Sequence, residues 1–322
     1  MFGLKNLKPE ITVTKDSVKC PVRDCAKIVA RQRKSFKTSD EFMCPDHRIY
    51  ISPSTFEYKD MFDNLLWDEQ TDRNLLNRII GTKRESRFAR DNSEDALTWN
   101  VFRFLEKSSL LSGFLGTLVK HPIRNCEVFY WSYAQSQKNV WSSLKEAREE
   151  FETVPEKGSE PDLIVKSDED LFFIEAKLTA TNNTVPRSDV SEVQKKYEDG
   201  GNNWYRKVVK SDFRTVAVTN KKYELLRMWL LGSWVAQRLG LNFYLVNLVL
   251  SKKELTVEGI FRKYTNESSS RTFLRVTWEG IYQFILDSGV DTQDKNTVLR
   301  YFENKTVGYK NKVLQKAFSI SH

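Results

Sequence analysis

Residues 160–178 read Glu160-Pro161-Asp162-Leu163-Ile164-Val165-Lys166, then Ser167-Asp168-Glu169-Asp170, then Leu171-Phe172-Phe173-Ile174-Glu175-Ala176-Lys177-Leu178. Two apolar runs flank four polar residues, so the spacing predicts a β-hairpin with strands over 161–166 and 171–178. Side chains alternate along a strand. Phe173, Glu175 and Lys177 therefore share one face, and Phe172, Ile174 and Ala176 share the other. If the turn closes symmetrically, Lys166 faces Leu171 and Asp162 falls opposite Glu175. Opposed Cβ atoms lie about 4.5–5.5 Å apart, where like charges repel. Two facing carboxylates in an apolar hairpin call for a cation between them. Mg²⁺, held by one or two carboxylates with phosphate and water, suits the place. Lys177 lies two residues beyond Glu175 on the same face. Its ammonium can bind a phosphate or orient a water and stabilise developing charge.

Outward from the hairpin, helices and strands alternate. Asn92-Ser93 is a helix N-cap with Glu94 and Asp95 in the first turn. The stripe Leu97, Val101, Phe104 and Leu105 follows at helical spacing. Residues 126–133 read as a strand, 190–209 as a polar helix broken at Gly200-Gly201, and 213–219 as another strand. The apolar stretch 228–250 is long enough to span a bilayer, but Gln237 and Arg238 sit near its middle, where charge is costly. It reads as a helix stopping at Gly240 and a buried strand over 243–250. A strand over 272–276 and a helix from Thr277 follow. Upstream lie a helix over 65–80 and the charged run Thr82-Lys83-Arg84-Glu85-Ser86-Arg87. The expected class is α/β, a mixed sheet flanked by helices.

Pro161-Asp162 and Glu175-Ala176-Lys177, on the two strands of the hairpin, resemble the signature of the PD-(D/E)xK nuclease superfamily. The order helix, three strands, helix, strand resembles its restriction-endonuclease-like core. The resemblance implies metal binding by Asp162 and Glu175, a catalytic role for Lys177, and DNA as substrate with Mg²⁺ or Mn²⁺. An acid on the first core helix often adds a ligand there. Glu94 has two readings, this one and that of an acid favouring its helix N-terminus. Gln194 and Tyr197 fall one residue short of a glutamine–tyrosine pattern found in some members, and no role is assigned to them. Restriction or defence against foreign DNA, with a partner protein from such a system, is the biological setting the resemblance implies.

Near the N-terminus Cys20 and Cys25 are separated by four residues, Cys44 and His47 by two, and eighteen lie between the pairs. Two close pairs of such ligands suit tetrahedral Zn²⁺. Pro21 and Pro45 suit tight knuckle turns. The site looks like a zinc ribbon or short treble-like finger without an open ligand position, so its expected role is structural. Between the pairs, Lys27, Arg31, Arg33, Lys34 and Lys37, with Phe36, can contact phosphates or simply face solvent. Residues 49–53 read as a strand leaving the knuckle.

The expected organisation is a zinc-ribbon-like domain over 1–60, a helical connector over 61–91, a nuclease domain over 92–255 and an extension over 256–322. Basic residues outnumber acidic ones, 51 to 43, and the net charge of +8 favours a polyanion weakly. The N-terminal residues carry neither an apolar core nor a cleavage site of a secretory signal. With only four cysteines, this points to the reducing cytoplasm and away from membranes. Two-fold cutting would call for a homodimer, though no interface signal is present. Cys126 reads as core and His121 as a loop residue, while Trp229 and Trp234 recur at helical spacing as core. With three histidines, a serine or cysteine nucleophile has little to draw on. Three other functions stay open: a zinc-dependent DNA-binding protein with an inactive nuclease fold, a nuclease of this fold acting on branched DNA or RNA, and a structural subunit of a larger complex.

Overall fold

The computed structural model describes residues 7–8, 10–83, 86–187, 189–310 and 312–320. Arg84, Glu85, His322 and the first six residues lie outside them. In chain order the described residues form β1 (Ser17–Lys19), β2 (Ile28–Ala30), β3 (Met43–Cys44), β4 (Ile49–Ile51), β5 (Phe56–Tyr58), α1 (Gln70–Thr82), α2 (Glu94–Lys107) and α3 (Leu111–Val119). Next come β6 (Glu127–Tyr130), β7 (Tyr133–Ala134), β8 (Asn139–Val140), α4 (Ser142–Phe151), β9 (Leu163–Lys166) and β10 (Asp170–Ala176). Then follow α5 (Val190–Val208), α6 (Tyr223–Leu239), β11 (Asn242–Val249), α7 (Val257–Arg262) and β12 (Arg271–Thr277). The order is completed by α8 (Trp278–Asp287), α9 (Gln293–Asn304), β13 (Thr306–Lys310) and β14 (Val313–Lys316). No helix among the described residues is long and apolar enough to cross a membrane.

The chain folds into two compact units that do not follow chain order. The first comprises Met1–Asn74, Ser86–Ser108 and Glu279–His322, the second Leu75–Glu85 and Ser109–Trp278. In the first unit, β1–β2 and β3–β4–β5 form two small antiparallel sheets around a core of Ile11, Val18, Ile49, Phe56 and Leu314. Leu314 comes from the expected extension. The amide of Leu314 donates to the Ile11 carbonyl at 3.2 Å, and that of Val13 to the Lys312 carbonyl at 2.8 Å. The hairpin β13–β14 supplies the core that so short a knuckle lacks. Ser93 caps α2 by accepting from the Ala96 amide at 3.0 Å, and the stripe Leu97, Val101, Phe104 and Leu105 is buried as its spacing predicts.

The second unit holds a seven-stranded sheet in the order β12-β11-β10-β9-β6-β7-β8. β6, β9 and β10 form an antiparallel meander, and β10, β11 and β12 run parallel. Lys166 pairs with Leu171, as a symmetric turn requires. On one sheet face Phe129, Ile164, Phe173, Leu245 and Phe273 join a core with Leu226, Trp229 and Leu230 of α6 and Leu144 and Phe151 of α4. Gly232 allows the close approach, since a Cβ there would meet Phe243 carbons at 2.2 and 2.3 Å. α6 stops at Gly240 with φ +70°, and β11 follows, so the stretch 228–250 divides as expected.

Three expectations are corrected. Residues 213–219 are helical, ending in a wide π-helical turn over Thr215–Thr219, rather than a strand. The Asp212 carboxylate accepts from the Thr215 amide and hydroxyl at 2.9 and 2.7 Å, and Phe213, Val216 and Ala217 bury at helical spacing. The upstream helix begins at Gln70, because Asn100 holds the preceding backbone extended. Its side-chain oxygen accepts from the Leu66 amide at 2.9 Å, and its carbonyl from the Trp67 indole at 2.7 Å. The stretch 126–133 is two short strands, broken by positive φ at Trp131 and Ser132. The kink at Gly200-Gly201 in α5 is present, and left-handed geometry continues through Asn203.

Candidate metal centre and carboxylate–lysine site

The knuckle of the first unit is built from two tight turns. Cys20 and Cys25 flank the turn joining β1 to β2, and Cys44 and His47 flank the turn joining β3 to β4. All four ligand atoms lie within 4.8 Å of one another, and the three cysteines are buried. His47 Nδ1 lies 3.5 Å from Cys20 Sγ and 3.6 Å from Cys44 Sγ, and the Cys25 and Cys44 sulfurs are 3.9 Å apart. A tetrahedral Zn²⁺ with Zn–S about 2.3 Å and Zn–N about 2.0–2.1 Å would space its ligands by about 3.5–3.8 Å. The Cys3His group could therefore hold a metal ion such as zinc. Burial pushes the Cys20 thiol up, and the neighbouring Cys44 adds to the shift, so a metal-free Cys20 thiolate is costly. Of the basic residues nearby, Arg31 lies over the Tyr309 ring and donates to the Pro53 carbonyl, and Arg33 pairs with Asp16. Lys27, Lys34 and Lys37 are exposed.

The second site lies at the C-terminal end of β10, on the face covered by α6. Asp162 stands one residue before β9, where its Oδ2 accepts from the Ala176 amide at 2.8 Å. This hydrogen bond ties Asp162 to the strand end that carries Glu175. Lys177 Nζ lies 2.5 Å from Glu175 Oε1 and 3.2 Å from Glu224 Oε2, bridging β10 to the first turn of α6. The Lys177 backbone is fixed on both sides: its amide donates to the Leu248 carbonyl and its carbonyl accepts from the Trp278 indole. Glu175 is buried, and its Oε2 has no hydrogen-bond partner. Burial pushes the Glu175 carboxyl well above the usual carboxylate range; Lys177 opposes the shift, and the Glu224 and Asp162 carboxylates add to it. Asn247, the register partner of Glu175 on β11, continues the polar row, accepting from Asn182 Nδ2 at 2.6 Å and donating to Glu254 at 2.8 Å.

A bare carboxylate oxygen in a dry site is expensive. A hard cation taking the Glu175 carboxylate would relieve it. Among the described residues, the Cys3His group is the one cluster of three or more metal-ligating side chains with converging atoms. At the hairpin Lys177 bridges the Glu175 and Glu224 carboxylates, and Asp162 is tied to the same strand end through the Ala176 amide. Glu94, the other candidate ligand, stands in the first turn of α2 in the first unit, where an acid favours the helix N-terminus.

Sequence reasoning missed Glu224. It lies 49 positions beyond Glu175 in a helix whose register with the hairpin only packing supplies. A second missed group is Glu152, Ser159 and Arg227, with Tyr197. Glu152 accepts from the Ser159 amide at 2.7 Å and from Tyr197 Oη and Arg227 Nη2 at 3.3 Å each. Gln194 instead pairs with Glu198 and Arg214. Trp229 is fully buried and Trp234 nearly so, Cys126 is half-buried beside Ser112, and His121 lies 3.5 Å from Asp170. No family model, no curated protein and no solved structure matches this chain.

Proposed function

We propose that the protein is a metal-dependent nuclease that hydrolyses DNA phosphodiester bonds at Asp162, Glu175 and Lys177, in the manner of the PD-(D/E)xK superfamily. The observation that carries this reading is the buried Glu175 oxygen without a hydrogen-bond partner, beside Asp162 and in reach of one ammonium. The meander β6–β9–β10 with a helical crossover to the parallel strand β11 supports it as well. Asp162 and Glu175 would hold Mg²⁺ or Mn²⁺. When bound, the ion supplies a more acidic water and neutralises phosphoryl oxygens. Lys177 would bind the scissile phosphate or orient the attacking water, and its ammonium would stabilise the developing negative charge. Glu224 would position Lys177 by holding the ammonium from the α6 side. The Cys3His knuckle with Lys27, Lys34 and Lys37 would help to hold DNA. A role in defence against foreign DNA would follow from that activity.

Plasmid cleavage in Mg²⁺ or Mn²⁺ tests this, comparing wild type with Lys177→Ala and Asp162→Ala. Nicking or linearisation that falls at least about 100-fold in the Lys177 and Asp162 variants, both still folded, is the expected result. Cutting that survives both substitutions would remove the hairpin from consideration as the active site. Binding without cutting by the wild type would favour a zinc-dependent DNA-binding module.

A further inference from the structure

A cleft of about 400 Å³ opens in the second unit beside the carboxylate–lysine site. Glu224 belongs to both, since it accepts from Lys177 and also lines the cleft. The inner wall is a closed set of polar contacts. Glu152 is bound by Ser159, Tyr197 and Arg227, and Arg227 Nε donates to Ser159 Oγ at 2.8 Å. Glu152 and Arg227 match each other's charge within the wall, which gives an entering ligand no net anion to meet. The Tyr223 ring lies 5.1 Å from the Arg227 guanidinium and adds an aromatic surface.

The mouth has a different chemistry. Val154 and Val185 are 47% and 44% exposed, two of the six large apolar side chains that stand exposed among the described residues. Both line this cleft, with Lys157 and Arg187 exposed beside them. Apolar edges, an aromatic surface and cations at the rim suit a flat heterocycle attached to an anionic chain. A base stacked and paired within a duplex cannot enter such a cleft, whereas an unpaired one can.

We propose that this cleft receives an unpaired nucleobase of the DNA strand being cut, next to the scissile phosphate, with Lys157 and Arg187 on the flanking phosphates. The proposal rests on the nuclease reading for the identity of its neighbour, and it names the substrate: single-stranded or locally unpaired DNA in preference to intact duplex. Val154 and Val185 sandwich the base edge, and Tyr223 offers it a face. Glu224 couples the filled cleft to Lys177.

Fluorescence anisotropy of the full chain without added Mg²⁺ tests the cleft independently of hydrolysis. The probes are a labelled oligothymidine 12-mer and a labelled 12-base-pair duplex. Wild type should bind the single strand at least about tenfold more tightly than the duplex, since a base stacked in the cleft adds to single-strand affinity alone. Val185→Arg adds a positive charge while filling the mouth. It should weaken single-strand binding at least about fivefold and leave duplex binding equal or tighter. The double variant V154S/V185S should weaken the single strand alone, and millimolar thymidine monophosphate should not displace the oligomer. Equal affinity for the two probes, or a Val185→Arg variant that tightens both, would overturn the proposal. Displacement by the mononucleotide would overturn it in favour of a free-nucleotide site. If the plasmid is never cut yet Val185→Arg weakens the single strand selectively, the cleft stands and the hydrolytic reading falls. If the plasmid is cut at Lys177 but the cleft variants bind as wild type, the reverse holds.

Discussion

Glu175 and Lys305 illustrate two ways of keeping an ionisable side chain out of water. Glu175 has one oxygen bound by Lys177 and the other bare, which is a cost that a metal would offset. Glu175→Gln should therefore abolish metal-dependent cleavage while leaving the metal-free protein as stable as wild type or more so; a fall in its thermal midpoint of several degrees would count against a strained carboxylate. Lys305 in the first unit is fully buried, donates to Tyr301 Oη at 2.5 Å and is held by the field of Asp91. Asp91 accepts from the Thr306 amide and hydroxyl and from Tyr58 Oη. Burial lowers the Lys305 ammonium from 10.5 to about 8, with Asp91 opposing. Between about pH 8 and 10.5 the unfolded chain binds more protons at this residue than the folded one, so its contribution makes stability rise with pH across that window. Lys305→Met should remove this slope in urea titrations. It should also cost about 3–5 kcal/mol near neutral pH, because Asp91 is left buried without a cation. Combining it with Asp91→Asn should recover most of the loss.

At the level of elements, local sequence and packing agree in the hairpin and disagree in 213–219. The hairpin was legible because alternation, turn and apolar content all specify one register, and Leu171 does pair with Lys166. The run Phe213-Arg214-Thr215-Val216-Ala217-Val218-Thr219 has β-branched residues that favour a strand, but a cap at Asp212 and burial at helical spacing prevail. Gly232 lets α6 approach the sheet closely. Gly232→Ala should destabilise the second unit by about 1–3 kcal/mol, since Phe243 must move, and calorimetry would read it. In the knuckle, each turn presents two ligands and neither has a core of its own. Elemental analysis should find one zinc per chain, and Cys44→Ser should lose it. A zinc chelator should lower the thermal midpoint of the wild type, since structural zinc supplies about 10–16 kcal/mol of apparent binding energy. An unchanged midpoint and no bound metal would leave Cys20, Cys25, Cys44 and His47 as ordinary packing.

At the scale of the whole molecule, the net charge is +8, and the proposed nuclease reading requires a DNA affinity that is steeply salt-dependent. A plot of log affinity against log salt should be linear, with a slope near −0.7 per phosphate contact for single strands. A flat plot would exclude a phosphate-tracking surface. The sequence by itself determined the register of the hairpin, the ligand pairs of the knuckle, the cap at Ser93 and the stop at Gly240. Each depends on residues within a few positions of one another, where spacing translates directly into geometry. Only the tertiary structure decided that Tyr309 and Leu314 pack with the Cys3His knuckle, that α2 belongs to that unit, and that Glu224 closes on Lys177 beside a cleft built around Glu152 and Arg227. Those associations join residues tens to hundreds of positions apart. They follow from which apolar faces find each other, and no local pattern in the chain encodes that choice.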